Sequence, residues 1–294
     1  MKEYPLISVI LPTHNRAKYI RRAIESAMGQ SYSNIELIVI NDASTDNTLE
    51  IISGMSLSNL KITIVNNERN VGIVVSLNKG IKVAKGKYIA RLDDDDIWCD
   101  EKKIEKQVAF LENNQDYVLV GGGVIRVNQS GREIIRYFLP KEDEDIRKVI
   151  LTNNTFVHTS VLFRKDVFDK VGGYDHNFLF VEDWDLWMKM GTVGKFYNFQ
   201  EFFVRYLDQE YDNPGHYRNR GIRRKIGLNI KLRRKYKDYY TGYGKAILLS
   251  FTSYFYSFLP FKKKIWPLTF WLRSIVFGSS PYTYFRSFQE NKNH

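Results

Sequence analysis

Three times in succession this chain passes from a short apolar run into a polar loop and then into an amphipathic stretch, an order few folds accept. Ile7-Ser8-Val9-Ile10-Leu11 stops at Pro12 and opens into Thr13-His14-Asn15-Arg16. Residues 35–40 run into Asn41-Asp42-Ala43-Ser44-Thr45-Asp46, and residues 62–65 into the polar loop 66–72. Between them, residues 18–30 place Ile20, Ala23, Ile24, Ala27 and Met28 on one helical face. Thr45 or Asp46 is placed to cap a second helix through Leu49, Ile51 and Ile52, and residues 73–84 read as a third. Strand, loop and helix in repetition predict an α/β fold with a parallel sheet and right-handed crossovers. Each polar loop follows a strand, so all gather at one sheet edge. That is the layout of a nucleotide site, yet neither a Gly-x-Gly-x-x-Gly nor a Walker loop is present, which argues against a dinucleotide enzyme or a P-loop NTPase.

A fourth run, residues 88–92, ends in Asp93-Asp94-Asp95-Asp96. Adjacent carboxylates repel one another, so a fold keeps four of them only when they are hydrated or beside a cation. The crevice beyond a strand's carboxyl end is where α/β proteins build sites. Hard oxygen ligands suit Mg²⁺ or Mn²⁺ rather than zinc. A solvated acidic turn is the plain alternative, but Ile97 and Trp98 follow at once and anchor the run to a core, which favours a site.

Beyond residue 100 the pattern changes. A helix over 102–111 precedes strand-like segments at 117–120, 124–127 and 133–138, the last two joined through the hairpin signal Ser130-Gly131. An acid-capped helix over 142–151 leads to a strand over 160–164, and the turn Gly172-Gly173-Tyr174-Asp175 to a helix opening with Glu182-Asp183-Trp184-Asp185-Leu186-Trp187. Acidic residues in a first helical turn already suit the macrodipole, whatever else they do. Trp184 and Trp187, at i and i+3, predict core packing over sugar stacking.

The blocks Pro12-Thr13-His14-Asn15-Arg16, Asn41-Asp42-Ala43-Ser44-Thr45-Asp46, Leu92-Asp93-Asp94-Asp95-Asp96 and Glu182-Asp183-Trp184-Asp185-Leu186-Trp187 follow one another in order and approximate spacing. In this the chain resembles family 2 glycosyltransferases, inverting enzymes of the GT-A fold, over roughly residues 5 to 210. The resemblance implies that Pro12, Thr13, Asn15, Arg16 and Asp42 hold the nucleoside of a nucleotide-sugar. It implies that Asp93 contacts ribose or the metal, that Asp95 is the direct ligand of Mn²⁺ or Mg²⁺, and that Asp94 fills the variable position on the nucleotide side. Asp183 is then the general base, with Glu182 beside it in acceptor binding. His216, after Asn213-Pro214-Gly215, either reaches the metal or diphosphate or is an ordinary surface histidine; His158 is either structural or lines the acceptor pocket. The residue chemistry agrees. An ionised Asp42 only accepts, so it can select the N3–H edge of uracil or thymine, although capping the next loop is its plainer use. Thr13 and Asn15 can bond base and ribose or simply close their loop. His14 stands where the family carries Tyr, and Ser76-Leu77-Asn78 replaces Ala-Arg-Asn, which leaves Arg69 or Arg91 to supply a cation near the diphosphate.

Charge divides the chain. Residues 201–294 carry 18 Lys and Arg against 6 Asp and Glu, a net +12, whereas residues 1–200 net −1. The expected division is a GT-A domain over 1–210 and a basic, aromatic, helical extension over 211–294. Apolar runs at 246–260 and 266–277 fall short of the roughly 18–20 residues of a spanning helix. With Lys262-Lys263-Lys264 and Trp266 between them, they suit the headgroup interface of an anionic membrane, or else an extra packed subdomain. A lone Cys99, and an N-terminus passing directly into a strand pattern, suggest a cytoplasmic protein on the inner face of the cell membrane. The expected partners are a UDP- or dTDP-sugar and a saccharide or lipid-linked acceptor. A metal-dependent phosphoester hydrolase would explain the aspartates but neither Asp42 nor the late Glu-Asp pair. A nucleic-acid binder explains only the charge, so no nucleic acid is expected.

Overall fold

The computed structural model describes residues 4–55, 61–209, 222–256 and 283–285. The repeated pattern folds as β1 (Ile7–Thr13), α1 (Ile20–Met28), β2 (Ile35–Asn41), α2 (Thr48–Gly54), β3 (Lys61–Asn66), α3 (Ile73–Val83) and β4 (Tyr88–Arg91). In α1 the buried residues are Ile20, Ala23, Ile24 and Ala27, the face that the spacing predicts. The four strands pair in parallel in the order β4-β1-β2-β3. Thr13 lies opposite Asn41, and Asn41 opposite Asn66, so the loops after β1, β2 and β3 leave the sheet at one level.

Past β4 come β5 (Ile97–Trp98), α4 (Lys103–Asn113), β6 (Tyr117–Val127), β7 (Glu133–Phe138), α5 (Asp143–Val149), β8 (Leu162–Arg164), α6 (Lys165–Lys170) and α7 (Glu182–Gly191). They are followed by β9 (Lys195–Leu207), α8 (Ile222–Lys235), α9 (Tyr243–Tyr256) and β10 (Thr283–Phe285). Here the sheet turns antiparallel: β8 joins β4 to β6, the hairpin partner β7 follows β6, and β10 adds itself to β7. The long β9 runs parallel to β6 and also pairs with β5. β5 and β9 carry no expectation from the sequence pattern. The segments 117–120 and 124–127, expected as separate strands, are one strand running through Gly121-Gly122-Gly123. A Cβ built on Gly122 would lie 2.2 Å from the Phe203 ring of the paired β9, so the glycine makes room for that ring rather than breaking the strand.

Alternation along the strands feeds two cores. Val9, Leu11, Leu37 and Val39 pack with α1 and with Ile104 and Val108 of α4. Ile10, Ile38 and Ile40 pack with Leu77 of α3 and with Trp184 and Trp187 of α7, so each core covers one face of the sheet. Leu232 of α8, with Tyr236, Tyr240 and Ala246 after it, belongs to this second core. Arg233 is buried and donates to the carbonyls of Leu151 at 2.7 Å and Thr152 at 2.9 Å. No helix among the described residues is long and apolar enough to cross a membrane. The expected features at 257–277, including Lys262-Lys263-Lys264, lie outside the described residues.

Candidate active site

The loops after β1 and β2 are latched together. Asn15 lies at φ 54, a conformation asparagine tolerates better than most residues. Its N–H donates to Ser44 Oγ at 3.0 Å, and its Oδ1 accepts from Thr45 N at 2.7 Å. Arg16 N donates to Thr48 Oγ1 at 2.8 Å, and His14 Nδ1 lies 2.7 Å from the Asp42 carbonyl oxygen. The side chains of His14 and Asn15 therefore shape the loop. Asp42 is 5% exposed and reaches the third loop. Its Oδ1 accepts from Asn67 Nδ2 and Val71 N, and its Oδ2 from Gly72 N, each at 2.9 Å. Three donors leave about one acceptor position of a carboxylate's four.

The aspartates at the end of β4 divide by environment. Asp93 accepts from the buried Arg91 guanidinium at 2.5 Å, and its N–H donates to Thr159 Oγ1 at 3.2 Å. Asp94 lies 3.4 Å from Arg16 Nε; burial, and then the charge of Asp95, push its carboxyl up to about 7. Asp95 accepts from Gln209 Nε2 at 2.6 Å and is also raised, by burial first and then by Asp93. Asp96 turns inward, fully buried, and accepts from Leu207 N at 2.9 Å, which ties β9 to the site. Trp98 anchors the run as expected, its Nε1 donating to the Thr159 carbonyl at 2.8 Å. Arg91 does not stand free to meet a diphosphate: Asp93 and the carbonyls of Ile10 and Leu92 engage its guanidinium. Arg69 remains exposed in the loop before α3.

Glu182 and Asp183 open α7, and the fold brings them toward the β4 aspartates. Glu182 is pushed up to about 7 by burial, then by the charge of Asp183, with a further contribution from Asp93. Its Oε2 is buried without a hydrogen-bond partner. Asp183 accepts from Asn154 Nδ2 and, on its other oxygen, from Trp184 N, both at 2.7 Å. Trp184 and Trp187 are buried, and Trp184 Nε1 donates to the Ile150 carbonyl at 2.7 Å, so both pack in the core. His158 is held well down, to about 3, by burial and then by Arg91; its Nε2 lies 2.7 Å from the Tyr174 hydroxyl. Asn154 and Gln209 are site residues that the sequence blocks do not contain. Both lie beyond a motif's edge, and only the fold brings them in.

No cluster of three His, Cys, Asp or Glu side chains arranged to hold a metal occurs among the described residues. His216 lies outside them. Asp93 and Asp95 are oxygen donors of the kind a hard cation takes, and the repulsion between them favours a compensating charge.

A mixed sheet flanked by helices, with acidic loops at the carboxyl ends of its parallel strands, defines an α/β nucleotide-sugar transferase of the GT-A fold. The chain belongs to glycosyl transferase family 2, whose pattern matches residues 8–172, more than half its length. It is similar to the uncharacterized glycosyltransferase MJ1057 of Methanocaldococcus jannaschii, at 32% identity over 71% of this chain and 73% of that protein. The amylovoran biosynthesis glycosyltransferase AmsE of Erwinia amylovora is 30% identical over 64% of this chain and 71% of its own. Among solved structures, S. aureus TarS in complex with UDP superposes with a TM-score of 0.59 at 18% identity, over 78% of this chain and just 65% of that one. The mannosyltransferase PcManGT of Pyrobaculum calidifontis, in complex with GDP-Man and Mn²⁺, gives 0.61 at 18% identity, over 95% of this chain and 78% of that one. At such identities the likeness is one of fold.

Proposed function

We propose that this glycosyltransferase moves a sugar, with inversion, from a UDP- or dTDP-sugar to a saccharide or lipid-linked acceptor in cell-surface polysaccharide synthesis. The observation that carries this reading is the meeting of two distant acidic segments. One short stretch ties them together: Asn154 donates to Asp183 of α7 at 2.7 Å, and Thr159 accepts from the Asp93 N–H beyond β4 at 3.2 Å. One-step inversion needs a base on the side of the anomeric carbon opposite the leaving diphosphate, and two separate carboxyl groups supply those two sides. The name of AmsE, and the UDP seen with TarS, support polysaccharide synthesis and a nucleotide donor.

Thr13, Arg16, Asp42 and Asp94 line the nucleotide side, with Pro12 and Asn15 fixing their loop. Asp42 has about one acceptor position to offer a base N–H. Asp93 and Asp95, with His216 as a further ligand, would hold Mn²⁺ or Mg²⁺. Such an ion would neutralise charge on the diphosphate; the Mn²⁺ of PcManGT supports its use here. Asp183 takes the proton of the acceptor hydroxyl, Glu182 holds the acceptor, and Asn154 fixes the Asp183 carboxylate. The basic C-terminal region over 211–294 keeps the enzyme at the anionic inner face of the membrane.

Titrating UDP, dTDP and GDP with and without Mn²⁺ by calorimetry, alongside hydrolysis of the matching sugars, tests this reading. Metal-dependent, base-selective binding is the expected result. Indifference to every nucleotide, or full donor hydrolysis by Asp95→Ala in EDTA, would overturn it.

A further inference from the structure

At the end of α7 away from Glu182 and Asp183, three helices finish around one cleft of ≈ 430 Å³. Lys170 comes from the end of α6, Lys189 from the last turns of α7 and Lys235 from the end of α8, and Val171, Val193 and Tyr239 lie between them. No carboxylate lines the cleft among the described residues. A lysine near a helix C-terminus suits the macrodipole, whatever else it does. The macrodipole does not ask three helices to turn theirs into the same space.

Two of these lysines are partly engaged. Lys235 Nζ lies 2.8 Å from the buried Asp185 and 3.9 Å from Asp175. Lys189 Nζ lies 3.3 Å from Asp185 and donates to the Gly173 carbonyl. An ammonium group has three donors, so at least one remains on each. Lys170 is exposed, with no ion pair or hydrogen bond to its ammonium among the described residues. Asp185 and Asp175 thus answer two of the three charges, and the third is left over. Lysines on three sides suit a tetrahedral anion with several free oxygens better than a planar carboxylate with two. The volume falls within the roughly 300–1,000 Å³ of small-molecule clefts, more than a bare phosphate fills. Val193 and Tyr239, 42% and 62% exposed, offer apolar surface to whatever the anion carries.

We propose that this cleft binds a phosphate monoester, its terminal oxygens accepting from Lys170, Lys189 and Lys235 and its esterified group lying along Val193 and Tyr239. A lipid headgroup and a soluble metabolite present the same phosphoryl chemistry. The site is separate from the donor loops and stands whether or not those bind a nucleotide.

The test uses the full chain. Glycerol 3-phosphate is titrated by calorimetry, with and without UDP and Mg²⁺, and sedimentation is followed with phosphatidylcholine vesicles containing phosphatidic acid. Lys170→Ala removes the unpaired ammonium, and Val193→Trp fills the cleft at constant charge. Each should weaken binding by roughly five- to tenfold, whereas Lys237→Ala, an exposed lysine outside the cleft, should change it by less than roughly twofold. Dependence on Lys170 and Val193 in the vesicle assay assigns the ester to a lipid; dependence confined to glycerol 3-phosphate assigns it to a soluble compound. Equal effects of Lys170→Ala and Lys237→Ala would reduce the binding to diffuse attraction by the basic region and overturn the proposal, as would binding of neither probe. Glycerol 3-phosphate that UDP displaces and that Lys170→Ala leaves unaffected would belong to the donor loops, and would overturn it equally. The donor reading is judged apart from this, by whether UDP itself binds.

Discussion

At the scale of single residues, the proposed base Asp183 and its hydrogen-bond donor Asn154 make the sharpest claims. Asp183→Asn keeps the shape of the side chain but cannot take a proton, so kcat should fall by roughly 10²–10⁴ while nucleotide binding is unchanged. Asn154→Ala removes a donor that stabilises the charged carboxylate. The acid limb of the kcat–pH profile should therefore move to higher pH, a shift that a purely structural role does not produce. Glu182 gives a stability prediction. Its carboxyl is raised to about 7 in the folded protein, so between its ordinary value and about 7 the folded state holds the extra proton and stability falls as pH rises. Glu182→Gln should unfold at higher temperature than the parent at about pH 8, a difference that closes toward about pH 5. Glu182 and Asp183 were legible in the sequence because they sit inside a motif. Asn154 was not, since an asparagine in a connecting stretch has no periodicity to betray it. Asp42 shows the opposite limit: its identity was plain, but the three donors that surround it come from a neighbouring loop.

Among elements, the parallel half of the sheet was readable because each strand is a continuous apolar run followed by a loop and an amphipathic helix. The antiparallel half was less so. β9 is aromatic but interrupted by Asn198, Gln200 and Glu201, so no clean alternation marks it. In sequence β6 reads as divided because three glycines resemble a turn when the Phe203 ring that packs against them from the paired β9 is out of sight. The glycines yield a prediction. Gly122→Ala places a methyl group against the Phe203 ring, and overpacking of this kind costs about 1–3 kcal/mol, measurable as a lower urea midpoint with an unchanged m value. The same variant should keep its nucleotide affinity wherever it remains folded, because the contact lies in the core and not in the loops of the site.

For the whole molecule, the uneven charge and the surface of α9 bear on location. Leu248, Phe251 and Tyr254 are 51%, 50% and 39% exposed and recur every third residue along the helix. With a net +12 over residues 201–294, the full chain should sediment with vesicles containing anionic lipid and be partly released by high salt. Leu248→Glu with Phe251→Glu should weaken that binding and leave nucleotide affinity intact; equal binding of parent and variant to neutral and anionic vesicles would remove the membrane role. The same region also holds α7 in place. Asp185, two residues past Asp183, is fully buried and receives Lys235 Nζ at 2.8 Å, from the end of α8, and the Tyr236 hydroxyl at 2.9 Å, from the turn that follows. A glycan engineer who grafts another relative's tail onto this enzyme would thus exchange the partners of a buried carboxylate along with the tail's charge. Such a graft has to carry a lysine and a tyrosine in the places of Lys235 and Tyr236, or the buried Asp185 on the helix bearing Asp183 is left with Lys189, at 3.3 Å on its own helix, as its counter-charge.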